Sequence, residues 1–314
     1  MRLPSLLLAG ALAFAGLVLF AQNKPANPPS NAASDPVFHA YTREVPLYLT
    51  VTDKKGHYVT NLQQSAFKVY ENGVQQPIHA FRYEDVPVSM ALVIDNSGSM
   101  REKRQAVEAA ALALVKDSNP QDETFVINFN EDAFLDVDFT NDPEKLRIGL
   151  ERIDSRGQTA MREAVRLAIE HLNKKAKRDK KVVLVVTDGE DNYSERDFSM
   201  EKLVQLASRS DVLVYAIGLL DQDMQSEAKR AKRALNELVT STGGEVFYPK
   251  TLADVDPVAH QIARDLRNQY FIGYTPLNEA LDGTFRQVKV TVKAPGNPAP
   301  RTRPGYWANP PQTK

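Results

Sequence analysis

Residues 88–99 read VSMALVIDNSGS, a stretch in which an apolar run passes directly into polar residues. Its first part, residues 88–94, is almost continuously apolar, which is typical of a strand buried on both faces of a sheet. The second part changes to Asp, Asn, Ser and Gly, which favour loops and the starts of helices. Residues 182–186 form another apolar stretch, which ends in the same way, at the sequence TDG of residues 187–189. We therefore predict parallel strands that carry polar loops at their carboxyl ends.

Strands and helices alternate through residues 86–270, because short apolar runs are followed by segments with the apolar spacing of helices. This alternation predicts βαβ units. The fold class is therefore α/β, with a doubly wound, mainly parallel sheet of the Rossmann-like kind that is covered by helices on both faces. Residues 125–129 and 134–139 predict a strand pair that is joined by a short turn at residues 130–132.

The segments on either side of this α/β domain alternate between apolar and polar residues with the period of β-strands. In residues 37–85, an NG turn at residues 72–73 predicts a hairpin whose return strand holds Ile78 and Phe81. Residues 271–307 show the same alternation. We predict that the two flanks pair and form a smaller antiparallel β domain, into which the α/β domain is inserted.

The composition excludes several classes of site and partner. The 314 residues include no Cys, so disulfides, thiolate zinc sites and thiol nucleophiles are excluded. The 39 Lys and Arg residues nearly balance the 40 Asp and Glu residues, which gives no long-range attraction to nucleic acid or to anionic lipid. We therefore expect a protein partner and no nucleic-acid partner.

The N-terminal sequence is typical of an exported protein. Residues 1–21 begin with Met1-Arg2 and continue as an apolar run, which predicts a signal peptide or an uncleaved membrane anchor. Residues 22–36 predict a disordered linker and residues 308–314 a disordered tail. We expect the protein to be exported and then periplasmic, secreted or anchored to the envelope, with the anchor as its only contact with a membrane.

Hydroxyl and carboxyl side chains follow the two apolar strands and occur in a third segment between them. They are Asp95, Ser97, Ser99, Thr159 and Asp188. Ligands of doubly wound sheets bind outside the carboxyl ends of the strands, so we expect these side chains to converge there. Mg²⁺ prefers oxygen ligands of these kinds, and Mn²⁺ or Ca²⁺ are alternatives. An acidic side chain of a partner protein is the natural ligand for a coordination position that stays open.

The order of these motifs resembles the von Willebrand factor A domain. The likeness covers residues 86–270, in which Asp-x-Ser-x-Ser follows a buried strand, a distant Thr comes next, and Thr-Asp-Gly ends a later strand. In that family the matching residues form the metal-ion-dependent adhesion site, and the resemblance gives this role to all five residues named above. The flanks are similar to those of exported proteins of the VWFA-related acidobacterial domain group. Residues 56–62 match Gly-x-x-Val-x-x-Leu, and residues 67–73 match Phe-x-Val-x-Glu-x-Gly.

These features predict a protein-binding, adhesion-type module that is not an enzyme and whose metal ion coordinates an acidic residue of the partner. The sequence contains no nucleophile elbow and no phosphate-binding loop. One alternative is a metal-dependent hydrolase in which Glu190 acts as the base. Another is an envelope scaffold that docks independently of metal. Glu190 and Asp191 are otherwise interpreted as a polar surface loop.

Overall fold

A computed structural model of the chain describes residues 44–83, 85–151, 155–195, 198–221 and 224–309. The predicted signal peptide or anchor (1–21), the predicted linker (22–36) and the last residues of the predicted tail lie outside the described residues. Within the described part of the chain, no helix combines the length and the apolar character that are needed to cross a membrane.

The order of the elements follows the alternation seen in the sequence. The strands are β1 (Val45–Thr52), β2 (Phe67–Glu71), β3 (Val74–Gln76), β4 (Ile78–Tyr83), β5 (Val88–Asp95), β6 (Glu123–Phe129), β7 (Ala133–Thr140), β8 (Lys180–Thr187), β9 (Val212–Gly218), β10 (Val246–Phe247), β11 (Tyr270–Tyr274), β12 (Phe285–Val292), β13 (Ala299–Arg301) and β14 (Gly305–Trp307). The helices are α1 (Arg104–Lys116), α2 (Pro143–Glu151), α3 (Met161–Lys175), α4 (Met200–Arg209), α5 (Gln225–Thr242) and α6 (Val255–Arg267).

The α/β domain is built on a six-stranded sheet in the order β10-β9-β8-β5-β6-β7. Neighbouring strands are parallel except for β6 and β7, which are antiparallel. Every residue of β5 and of β9 is buried, which explains why these segments are mostly apolar and do not alternate between apolar and polar residues. The predicted doubly wound, mainly parallel α/β fold is confirmed.

Side chains of β5 alternate between two hydrophobic cores. Met90, Leu92 and Ile94 pack on one face of the sheet with residues of α1 and α6. Ala91 and Val93 pack on the other face with residues of α3, α4 and α5. Because helices cover both faces of the middle strands, a ligand can reach these strands only at their ends.

The two flanks of the α/β domain form two further sheets. One has the strand order β13-β1-β11-β4, and the other has the order β14-β12-β2-β3. Strand β1 pairs with β11 and with β13, and β2 pairs with β12, so each sheet combines strands from before and after the α/β domain. Buried residues of both sheets, among them Leu47, Val69, Ile272 and Val290, share one core. The predicted fold class, with a smaller antiparallel β domain formed by both flanks, is thus confirmed.

The hairpin at Asn72 and Gly73 is shorter than the sequence predicts. Both residues have positive φ angles, 46° and 84°, as a tight turn of this kind requires. The return strand is β3, and it ends before Pro77, which lacks the N–H group needed to continue the ladder. The prediction that Ile78 and Phe81 lie on the return strand is therefore wrong, because they belong to β4, which pairs with β11 in the other sheet.

A buried polar network joins the β domain to the α/β domain. Asp265 of α6 is fully buried and accepts hydrogen bonds from Thr50 Oγ1 at 2.8 Å and from Tyr215 Oη at 2.5 Å. Arg301 of β13 donates to the same carboxylate at 2.6 Å. Gln269 donates to both Thr50 Oγ1 and Tyr215 Oη. Since β1 and β13 belong to the β domain, one buried carboxylate fixes the two domains to each other.

Replacing Arg301 by Met removes the guanidinium that pairs with the fully buried carboxylate of Asp265. We expect the free energy of unfolding to fall by about 3 kcal/mol, because a buried charge is left without its ion-pair partner. Urea denaturation followed by circular dichroism measures the loss. The control is Arg147→Met, since Arg147 pairs with the exposed residues Glu144 and Glu151 and should contribute less than about 1 kcal/mol. Equal losses in the two variants would contradict the role given to Arg301.

Candidate metal centre

The carboxyl ends of β5 and β8 lie side by side and bring two of the predicted motifs together. The two strands are parallel, with Ile94 next to Val186, so Asp95 and Thr187 follow at neighbouring strand ends. After β5 the chain turns through a short 3-10 helix, Gly98–Met100, before α1 begins. The loops after the two strands therefore share one edge of the sheet.

Asp95 is fully buried at the base of this edge. Its Oδ2 atom accepts a hydrogen bond from Thr187 Oγ1 at 2.6 Å, and its Oδ1 atom accepts one from the backbone N of Ser97 at 2.8 Å. Burial, reinforced by the nearby charge of Asp188, raises the pKa of Asp95 to about 6 despite these hydrogen bonds. A cation beside Asp95 would favour the ionised form of this carboxyl group.

Hydrogen bonds connect Ser97, Ser99 and Asp188. The Oγ atoms of Ser97 and Ser99 lie 3.2 Å apart, and Ser99 Oγ donates to Asp188 Oδ1 at 2.8 Å. Ser97 and Asp188 are buried, whereas Ser99 is exposed. Because Ser97 also donates to Asp95 through its backbone, four of the five predicted ligand residues form one connected group.

Thr159 is brought to the same edge by the backbone of its loop. Gly98 N donates to Gly157 O at 3.2 Å, so the loop before α3 is bonded directly to the loop after β5. Thr159 is buried, and its backbone N donates to Asn192 Oδ1 at 3.0 Å, in the loop after β8. Main-chain contacts thus place Thr159 beside the site, whereas the other four residues form the connected group.

The five predicted ligand residues offer only carboxylate and hydroxyl oxygens as side-chain ligand atoms. Among the residues that the structure describes, no group of three or more His, Cys, Asp or Glu side chains could hold a metal ion. A metal ion at this edge would therefore take part of its coordination from hydroxyls. Such a donor set fits a hard divalent cation and does not fit a soft metal.

The structure adds residues that the sequence did not assign to the site. Thr187 donates to Asp95, although only the Asp of the Thr-Asp-Gly motif is a predicted ligand. Lys103 places its ammonium group against Asp188, and a basic residue near a helix start gives no signal for such a contact. Asn192 orients Thr159, and its position shortly after the Thr-Asp-Gly motif is the only sequence signal for that role.

Glu190 and Asp191, which the sequence places in a polar surface loop, each have a partner of their own. Asp191 Oδ2 accepts hydrogen bonds at 2.6 Å from the backbone N of Arg162 and from Ser194 Oγ, so it holds the start of α3. Glu190 accepts a hydrogen bond from Arg230 Nε at 2.6 Å. Both acidic side chains therefore serve local structure beside the site.

The raised pKa of Asp95 predicts how stability depends on pH in metal-free protein. The folded state keeps the proton on Asp95 up to about pH 6, whereas the unfolded chain releases it near pH 4. The folded state therefore binds more protons between these values, and the free energy of unfolding falls as the pH rises from about 4 to about 6. In EDTA we expect wild-type protein to lose on the order of 2 kcal/mol more than Asp95→Asn over this range.

Urea denaturation at a series of pH values measures this difference. Glu237→Gln is the matched control, because Glu237 is an exposed carboxylate on α5, and this variant should follow wild type. Parallel stability curves for wild type and Asp95→Asn would contradict the raised pKa.

Comparison with known proteins identifies the segment that carries the site. Residues 90–190 match the family model described as von Willebrand factor type A domain, and they include all five predicted ligand residues. A curated protein of Synechocystis sp., uncharacterized protein sll0103, is 25% identical over 190 residues, which are 58% of this chain and 42% of that protein. The chain thus spans less than half the length of this relative.

Similar solved structures have low sequence identity. One is the vWF domain of the type V pili tip protein Mfa5 from Porphyromonas gingivalis, with 14% identity and a TM-score of 0.46 over 58% of this chain and 97% of that chain. Another is a von Willebrand factor type A structure from Catenulispora acidiphila, with 14% identity and a TM-score of 0.48 over 74% of this chain and 73% of that chain. The family match identifies residues 90–190, the part of the α/β domain that carries the Asp-x-Ser-x-Ser and Thr-Asp-Gly loops, as von Willebrand factor type A sequence.

Proposed function

We propose that this chain is an exported protein that binds an acidic group of a partner protein through a divalent cation. The residues that would hold the cation are Asp95, Ser97, Ser99, Thr159 and Asp188. The observation that carries the proposal is the connected group at one edge of the sheet: the Asp95 carboxylate accepts from the backbone N of Ser97, and the hydroxyls of Ser97 and Ser99 continue the chain of contacts to the Asp188 carboxylate. Mg²⁺ suits these oxygen donors, with Mn²⁺ or Ca²⁺ as alternatives, and it supplies an open position for one carboxylate oxygen of the partner.

Charge around the candidate site supports an acidic partner. Arg101 and Arg156 are exposed on the two loops that meet beside the connected group. The guanidinium of Arg101 donates to Ser155 O at 3.3 Å and links these loops. Tyr193, which is 49% exposed, lies in the loop after β8. Arginine and tyrosine are enriched in protein interfaces, and positive side chains attract acidic partners.

The contacts of Glu190 favour a binding protein over an enzyme at this site. A metal-dependent hydrolase needs a base, and Glu190, which the sequence offers for this role, is paired with Arg230 at 2.6 Å. The carboxylate of Glu190 is thus bonded to a guanidinium on α5. The pairing of Glu190 therefore supports a binding protein over a hydrolase.

Export is part of this proposal and depends on the apolar run that follows Met1-Arg2 in residues 1–21. The protein would then meet its partner in the periplasm, outside the cell or at the envelope. A metal-independent scaffold is the competing mode of binding, and it differs from the proposal in its response to EDTA.

Titration with Mg²⁺ tests the metal site. An ion at one hundred times its Kd stabilises the folded state by about 2.7 kcal/mol, so we expect the Tm of wild type to rise by roughly 5 to 10 °C. Asp95→Asn should show little of this rise, whereas Glu237→Gln, which removes an exposed carboxylate on α5, should show all of it. An unchanged Tm in wild type, or the same rise in Asp95→Asn, would count against the metal assignment.

A pair of peptides tests the recognition of acidic groups. We expect immobilised hexaglutamate to bind wild-type protein in Mg²⁺ at least roughly tenfold more tightly than in EDTA, because the bridging ion is lost with the chelator. Hexaglutamine should bind weakly in both buffers. Biolayer interferometry measures the affinities. Equal binding of hexaglutamate with and without Mg²⁺ would contradict a metal bridge and favour the metal-independent scaffold.

A further inference from the structure

Lys103 reaches into the candidate metal centre from the turn before α1. Its ammonium group contacts Oδ2 of Asp188, and the two side chains are 24% and 1% exposed. The other carboxylate oxygen of Asp188 accepts a hydrogen bond from Ser99 Oγ at 2.8 Å. Both oxygens of this buried carboxylate are therefore engaged, and one of them faces a positive charge.

The backbone holds Lys103 in this position. Lys103 N donates to Met100 O at 2.9 Å, and Lys103 O accepts a hydrogen bond from Val107 N of α1 at 3.1 Å. Lys103 directly precedes α1 and follows the 3-10 turn that contains Ser99. One bonded turn thus presents both the hydroxyl and the ammonium group to Asp188.

The neighbouring basic residues have different partners. The guanidinium of Arg101 donates to Ser155 O at 3.3 Å. Arg104 Nη1 donates to Asn128 Oδ1 at 3.2 Å. Of these three basic side chains, Lys103 is therefore the one that contacts Asp188.

We propose that Lys103 is a built-in counter-cation that neutralises Asp188 in the metal-free protein and competes with the divalent ion for this carboxylate. The proposal rests on the proposed function, because it concerns a tuning residue of the same site. An isolated buried carboxylate is unfavourable, so Asp188 needs a cation whether or not metal is bound. Metal must then displace the ammonium of Lys103 from the Asp188 carboxylate. The cost of this displacement lowers the affinity of the site for metal.

This competition links metal affinity to the stability of the metal-free fold. Without Lys103, the carboxylates of Asp95 and Asp188 would share the edge of the sheet with no ammonium group against either of them. Removal of Lys103 would therefore destabilise the metal-free protein more than the metal-bound protein, so that metal would bind more tightly. In the metal-bound state the released ammonium adds one positive charge to the rim that holds Arg101 and Arg156, where it favours an acidic partner.

Calorimetric titration with Mg²⁺ tests the competition. We expect Lys103→Met to bind Mg²⁺ roughly tenfold more tightly than wild type, since the competing cation is gone. Arg101→Met is the matched control, because it removes one positive charge from the same turn without touching Asp188, and its Kd should stay within about threefold of wild type. Lys103→Arg keeps the charge and should also stay near wild type. A Kd for Lys103→Met that equals that of Arg101→Met would overturn the proposal.

The outcomes separate this proposal from the proposed function. Binding of Mg²⁺ by wild type and Lys103→Met with equal Kd overturns the role of Lys103 and leaves the proposed function standing. Binding by Lys103→Met alone supports the competition. Absence of binding by both proteins overturns the proposed function and this proposal with it.

Thermal unfolding in EDTA provides a readout that needs no metal. Lys103→Met should melt at a lower temperature than wild type, because Asp188 loses its cation. In a protein that already carries Asp188→Asn, adding Lys103→Met should lower the melting temperature much less. The reason is that the effects of two substitutions do not add when the two residues interact. Additive losses would overturn the pairing.

Acetylation of wild-type protein tests the proposal without any variant. Each lysine is modified by a dilute amine-acetylating reagent and followed by mass spectrometry. Addition of Mg²⁺ should increase the rate at Lys103 several-fold, because its ammonium is released from Asp188. Lys116, which is exposed at the end of α1, is the internal reference and should not change. An unchanged rate at Lys103 in protein that binds Mg²⁺ would overturn the proposal.

Discussion

The parallel pairing of β5 with β8 is the constraint on which the candidate site depends. It places the ends of two buried strands side by side, and the 2.6 Å hydrogen bond from Thr187 to Asp95 fixes the two loops relative to each other. Because Asp95 ends β5 and Asp188 directly follows β8, two carboxyl groups lie at the same edge, where burial raises the pKa of Asp95 and the ammonium of Lys103 contacts Asp188. The strand order thus brings two acidic side chains together at one edge, where the ammonium of Lys103 lies against one of them and the proposed divalent ion would add further positive charge.

The flanking β domain supports the site from a distance. Lys180 is the first residue of β8, and its ammonium donates to Leu266 O at 2.6 Å and lies 5.4 Å from the ring centroid of Tyr48 in β1. The β domain therefore adjoins the amino end of β8, whereas the candidate site lies at the carboxyl end. A strand of this length separates the two ends by roughly 25 Å. Burial lowers the pKa of Lys180 to about 8, which reflects how closely the two domains pack there. This arrangement leaves the site free to face a partner.

The strands and the predicted ligand residues can be recognised from short stretches of the sequence. The ion pairs that join distant parts of the chain cannot. A strand buried on both faces is continuously apolar, and the polar loop after it is visible at once, so the motif that contains Asp188 could be predicted. The contacts of Lys103 with Asp188 and of Arg301 with Asp265 join residues that are distant in the chain, and tertiary packing alone creates them. The hairpin at residues 72–73 shows the same limit, because its turn was predictable but the assignment of the following strand to the other sheet was not.

We propose that one divalent ion binds between the three loops that carry Ser97, Thr159 and Asp188. An anomalous difference map at the manganese absorption edge, from crystals of the protein grown with Mn²⁺, tests this claim. We expect a single strong peak within coordination distance, about 2.1 Å, of the hydroxyl oxygens of Ser97 and Ser99, with Asp95, Thr159 and Asp188 around it. A map without a peak at this edge, in crystals where Ser99 keeps its hydrogen bond to Asp188, would contradict the claim.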